Sequence, residues 1–391
     1  MKINLRKSLT FITVLVMMIT IICSQAMADT TTAIYNAADL FSSRDLLQEA
    51  DLTQAVTYTV SDSQDIHISK AGIYVLTGTA KNATVYVEAG TEDKVQLVLD
   101  GVSVTNTDFP VIYVRTADKV FVTISADSVL SVTGTFVADG STKTDGVIFS
   151  RSDLVLNGTA SLTITSTDKG VVCKDDLKIT GGTYSIKASS KAIEANDSIR
   201  IAGGTLNLIA GTDGLHAENN EDSSLGYIYI NGGILTVQAG DDGIHANSVV
   251  QIDDGTLSIT AAEGIEGTYI QINGGTIKIQ ASDDGINAAQ KSQSYYATIV
   301  INGGDITVVM GAGDTDGIDS NGNIVINGGT IRVTGNSTFD YDGSAQYNGG
   351  VIIANGQQIS SIPNQMMGGG NRGGGMGGNM DGGNRGGRGG W

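Results

Sequence analysis

The tetrapeptide Ile-Asn-Gly-Gly occurs four times, beginning at Ile230, Ile272, Ile301 and Ile326. Relatives begin at Leu156, Ile179, Ile201 and Ile252, and successive markers lie 23, 22, 29, 22, 20, 29 and 25 residues apart. Both steps of 29 contain polar insertions, residues 219–226 (NNEDSSLG) and 290–297 (QKSQSYYA). The underlying period is therefore about 20–25 residues, the range of stacked solenoid units.

Each unit carries short runs in which apolar residues alternate with polar ones, such as Leu206 and Leu208, Leu235 and Val237, or Ile277 and Ile279. Period two is the signature of strands. The Asn-Gly-Gly segments supply corners, because glycine tolerates the positive φ of a sharp turn. Strands so short do not make independent hairpins in such a unit. They stack unit on unit as an all-β parallel β-helix, a solenoid of roughly 20–25-residue coils. Stacking creates columns of like residues. Ala195, Ala217, Ala246 and Ala288 form one inward column, and Cys173, Gly267 and Ser320 share its register.

Residues 1–28 read as a secretory signal peptide: Lys2, Arg6 and Lys7, an apolar run, then Ala26–Ala28 before the expected cleavage site. The apolar run is short for a stable membrane span. The mature chain then keeps Cys173 alone, so no internal disulfide framework is expected. Acids exceed bases by 18, and loss of the leader deepens the deficit to 21. Such a charge excludes nucleic acid and anionic lipid as natural partners.

Residues 29–66 are expected to be an N-terminal cap over the open end of the core, with a helix within residues 37–51. Residues 67–363 hold the coils. Residues 364–391 form a Gly/Arg/Met-rich tail with no capacity for a core, expected to be disordered. Its Arg-Gly-Gly segments suit single-stranded nucleic acid, but the leader sends the chain outside the cell.

An acid-bearing turn recurs with the coils: TDGLHAEN from Thr212, DDGIHANS from Asp241, AEGIEGTY from Ala262, DDGINAAQ from Asp283 and TDGIDSNG from Thr315. Stacking sets Asp213, Asp242, Glu263, Asp284 and Asp316 in one column and His216, His245, Glu266, Asn287 and Asp319 in a second. Asp241 and Asp283 add further oxygens. Carboxylates about 5 Å apart repel by about 3 kcal/mol at an effective dielectric near 20. Either their pKa values rise or cations sit between coils. Calcium, with six to eight oxygen ligands, suits the second remedy. Lys169 and Lys191 occupy the acid register in the two preceding coils, so ion sites are expected to begin near Asp213.

Catalytic motifs are scarce: there is no His-Glu-x-x-His, Walker loop or Gly-x-Ser-x-Gly elbow. One catalytic alternative is a calcium-dependent polysaccharide lyase with Lys278 or Lys187 as base. Tyr227, Tyr229, Tyr295 and Tyr296, beside the insertions, are candidates for a sugar-binding platform.

The runs KVQLVLDGVSVTN (Lys94–Asn106), ADKVFVTI (Ala117–Ile124), KDDLKITGGT (Lys174–Thr183), DDGINAA (Asp283–Ala289) and DGIDSNGNIVINGGT (Asp316–Thr330) resemble the bacterial carbohydrate-binding domain-containing proteins. The resemblance implies a right-handed parallel β-helix, similar to pectate lyases but without established catalysis. It implies binding of cellulose or acidic, pectin-like polysaccharides, and calcium at Asp213, Asp242, Glu263, Glu266, Asp284, Asn287, Asp316 and Asp319. The chain is accordingly expected to be a secreted, extracellular or cell-surface, monomeric and non-catalytic binder of plant cell-wall-type polysaccharide. A pectate lyase-like enzyme and a structural adhesin are the alternatives.

Overall fold

The computed structural model describes residues 32–313 and 315–365. The expected leader, and all but the first two residues of the expected tail, lie outside the described residues. Helix is almost absent: Ala37–Leu40 and the 3-10 turn Leu52–Gln54 are the helical pieces among the described residues. The described strands form one sheet of 22 and one of 12. Their pairings are parallel, apart from the hairpin of Val351–Ala354 with Gln357–Ile359 at the C-terminal end.

Three rows of strands account for both sheets. In the first row Asp176–Ile179 pairs with Ser198–Ile201, which pairs with the start of Tyr227–Gln238, and so on to Asn323–Ile326. The second row runs through Ser161–Ser166, Thr183–Ala188 and Thr205–Ala210 to Thr330–Thr334. The third row is the 12-stranded sheet, from Ile66–Ile68 to Ser337–Tyr341. Each strand therefore pairs with its counterpart one repeat later.

Alternation decides what goes inside. Leu206, Leu208, Leu235, Val237, Ile277 and Ile279 are buried in one continuous cluster that runs through the stack. Each such side chain contributes about 1.5–3 kcal/mol by leaving water. The alanine column is in register, with Cys173 opposite Ala195, Ala195 opposite Ala217, and Ala217 opposite Ala246. Cys173 is fully buried, and burial raises its pKa, so it packs as a small apolar residue.

The Asn-Gly-Gly corners have a physical explanation at each letter. The asparagines hydrogen-bond in file: Asn302 Nδ2 to Asn273 Oδ1 at 2.7 Å, Asn327 to Asn302 at 2.8 Å, and Asn348 to Asn327 at 2.8 Å. A Cβ on Gly303 would lie 2.4 Å from the Asn273 carbonyl oxygen, and Gly304 has φ +92°. Neither position accepts another residue without strain.

The N-terminal segment departs from expectation in place and form. It does not cover an end of the core but runs along the flank of the first row. Gln271 Nε2 donates to the Thr32 carbonyl, and Gln251 bonds both the N–H and the carbonyl of Tyr35. Farther along, the Asp45 carboxylate accepts from Lys178 Nζ at 2.8 Å, and Asn157 Nδ2 donates to the Leu47 carbonyl. Of the expected helix within residues 37–51 only Ala37–Leu40 is helical, because this strap must extend across several strands. Phe41 is buried against Tyr229, whereas Leu46 and Leu47 stay exposed. The first row itself begins at Val56–Thr59, inside the expected cap.

Candidate functional site

The outward face of the third row carries the acid-bearing turns. Its central position is a single column: Glu194 opposite His216, His216 opposite His245, His245 opposite Glu266, Glu266 opposite Asn287, Asn287 opposite Asp319, and Asp319 opposite Asp340. Earlier in the same column stand His67, Tyr86, Tyr113 and Phe149, in contact ring to ring. The second acid column is also superposed. Asp242 pairs with Glu263, and the amides of Gly264 and Gly285 donate to the carbonyls of Asp284 and Asp316, each at 2.9 Å. Both predicted columns are thus present.

Burial is deeper than turn chemistry suggests. Asp213, Asp242, Glu266 and Asn287 are buried, while Glu263, Asp284, Asp316 and Asp319 are half-buried. Asp241 and Asp283 are exposed. Packed at the spacing of neighbouring strands, the acids need compensation.

Along the N-terminal half the protein supplies its own cations. Glu194 is met by Lys169 at 2.6 Å, Lys174 at 3.1 Å and Lys191 at 3.3 Å. Burial would raise its pKa, but these lysines outweigh burial and hold it at about 2. Asp213 has the Lys191 ammonium at 4.0 Å and His216 Nδ1 at 2.8 Å. His245 Nδ1 sits between Asp242 at 2.6 Å and Glu266 at 2.8 Å, and Lys291, from the second insertion, also reaches Glu266 at 2.8 Å. Burial opposes the imidazolium, yet the two carboxylates raise His245 to about 9. The two imidazoles stack at 4.5 Å. Asp242, His245 and Glu266 place their ligand atoms within 4.8 Å of one another, close enough to share a metal ion. The imidazolium already bridges that pair of carboxylates.

The C-terminal half is different. No ion pair reaches Glu263, Asp284 or Asp319 among the described residues. Burial, then the charges of Glu266 and Asp242, raise Glu263 to about 7. Burial, with Asp283 and Asp316 nearby, raises Asp284 to about 6 against a backbone hydrogen bond from Asp316. Burial, then Asp284 and Asp316, raise Asp319 to about 7. Asn287 Nδ2 donates to Glu263 at 3.1 Å, but its buried Oδ1 has no partner among the described residues. Raised carboxyls and an orphaned amide oxygen along this half of the columns are oxygen donors of the type that hard cations such as calcium take.

The four tyrosines do not make one platform. Tyr227 and Tyr229 point outward from the first row but are buried under the strap, where Tyr35 stacks on Tyr227 at 4.2 Å. Tyr295 is half-buried near Tyr269, and only Tyr296 is exposed. Lys187 and Lys278 are exposed on the second row, a different face from the acid columns. Sequence reasoning missed Glu194 and Lys291. Glu194 was detectable, since SKAIEAN aligns with TDGLHAEN; Lys291 lies in an insertion with no repeat to register it.

A family model described as carbohydrate-binding domain-containing protein matches residues 62–315 and 260–359. A protein of that description from Acetivibrio thermocellus is 34% identical over 130 residues, which are 32% of this chain and 46% of the relative. The matched stretch thus spans about half the length of that relative. A solved structure described as the polysaccharide lyase-like protein from C. thermocellum, gadolinium derivative, aligns over 79% of this chain and 97% of its own, with 24% identity and a TM-score of 0.44.

Proposed function

This chain belongs to the carbohydrate-binding domain-containing protein family, and from that premise we propose that it is a secreted, non-catalytic polysaccharide-binding protein. In this reading the stacked units are turns of a right-handed parallel β-helix. The protein works as a monomer outside the cell or at its surface, on a plant cell-wall-type polysaccharide, cellulose or pectin-like. Calcium belongs to the C-terminal half of the acid columns, with Glu263, Asp284, Asn287, Asp316 and Asp319 as its holders. Asp213, Asp242 and Glu266 have internal cations and fall outside this set.

The observation that carries the metal assignment is the buried, partnerless Oδ1 of Asn287 beside carboxyls raised to about 6 and 7. Bound calcium supplies positive charge to the row and offsets the repulsion between its carboxylates. Metal analysis of the purified protein should find calcium, and a chelator should lower its melting temperature. A melting temperature indifferent to chelation sinks the metal assignment. Retention on insoluble cellulose or a pectin gel tests the carbohydrate reading separately.

A further inference from the structure

Each of the three rows offers a different outer face. The first is covered by the strap, and the third holds the charged columns. The second is bare. From Ser161–Ser166 to Thr330–Thr334, eight successive strands pair in parallel with no register shift in this row. Every second residue faces out, so three outward positions per strand repeat along the stack.

Serine and threonine predominate at these positions. The central column reads Thr163, Ser185, Asn207, Thr236, Ser258 and Lys278, all exposed. Their hydroxyls make no hydrogen bond within the protein among the described residues. Charge is as distinctive. In a chain of net charge −18, this face carries Lys187, Lys278 and Arg332 against the single acid Asp305, which is itself paired with Arg332. No aromatic side chain stands on it. Strands about 4.8 Å apart with about 3.3 Å per residue make the face about 34 Å long and 13 Å wide.

We propose that this second-row face is the polysaccharide-contacting surface, and that its ligand is an uncharged, ordered, insoluble polysaccharide. The inference rests on the carbohydrate-binding reading, takes its cellulose alternative as the ligand, and adds the face. A lattice of hydroxyls with unspent hydrogen-bonding capacity meets a solid whose own hydroxyls repeat in rows. Backbone pairing holds the threonines and serines in fixed rows, so little ordering entropy is lost on contact.

The test is sedimentation with microcrystalline cellulose, alongside retention on a soluble polygalacturonate gel. The wild type is compared with a Thr163→Glu, Thr236→Glu, Thr276→Glu triple variant, Thr276 being the exposed, outward first residue of Thr276–Ala281 in the same row. A Thr163→Lys, Thr236→Lys, Thr276→Lys variant covers the case in which the glutamates impair folding. Melting temperature and metal content, which report on the core and the third row, should be unchanged in both. The expected result is cellulose binding by the wild type that falls at least tenfold in each variant. Equal binding by wild type and folded variants overturns the face while leaving the carbohydrate reading intact. Binding to polygalacturonate alone overturns the ligand class. Wild type that binds no glycan defeats the carbohydrate reading and this inference together. A wild-type dimer dissolved by the glutamates reassigns the face to self-association and overturns the proposal.

Discussion

Glu263, Asp284 and Asp319 are carboxyls in conflict with their neighbours, and that conflict gives them a measurable signature. Their folded pKa values, about 7, 6 and 7, lie above the ordinary carboxyl values near 4. A group raised on folding stabilises the fold below its unfolded pKa and ceases to do so as pH rises through the folded one. In chelator, the melting temperature should therefore fall between about pH 5 and about pH 8, and saturating calcium should flatten the slope. His245, raised to about 9, acts in the same direction: its contribution is full below about pH 6.5 and is lost through pH 9. His245→Gln should remove the upper part of the decline. Asp319→Asn should raise the melting temperature in chelator, by deleting one of several repelling charges, and weaken the response to calcium. A rise in both conditions alike would argue against a calcium role for Asp319.

The strap is the element that sequence patterning served least well. Phe41, Leu46 and Leu47 suggest an amphipathic helix, but only Phe41 is buried. Its true partners, Tyr229, Lys178 and Gln251, lie 133 residues or more along the chain and in separate coils. No local period encodes such contacts. The acid columns were legible for the opposite reason: repetition converts spacing into register, so Asp242 and Glu263 could be superposed on paper and are paired in space. Repetition does not report burial or counter-ions, and Lys291, within an insertion, escaped it. Asp45 is fully buried and accepts from Lys178 while Lys119 lies at 3.5 Å. Asp45→Ala leaves the buried Lys178 ammonium without its carboxylate, whereas Lys119 keeps Asp153 at 3.4 Å, and should cost about 3 kcal/mol or more. The loss should appear as a lower melting temperature and faster amide exchange across residues 34–48. Unchanged exchange there would show that the strap is held by its aromatic contacts alone.

At the scale of the whole molecule, one core runs from repeat to repeat, so a defect in any layer is felt by its neighbours. Ile265 packs between Ile244 and Ile286 in adjacent strands and is fully buried. Ile265→Ala should cost about 2–5 kcal/mol, read by denaturant unfolding. A smaller loss would mean that the layers collapse around the gap. The strap adds a constraint of timing. The Thr32 carbonyl and the Gln271 amide that meets it are separated by 239 residues. During synthesis the segment around Thr32 must wait, unpaired, until its seat has been made and folded. The protein is thus fastened by its beginning after its middle is complete, and a copy broken off before Gln271 would keep an open clasp that quality-control proteases can grip.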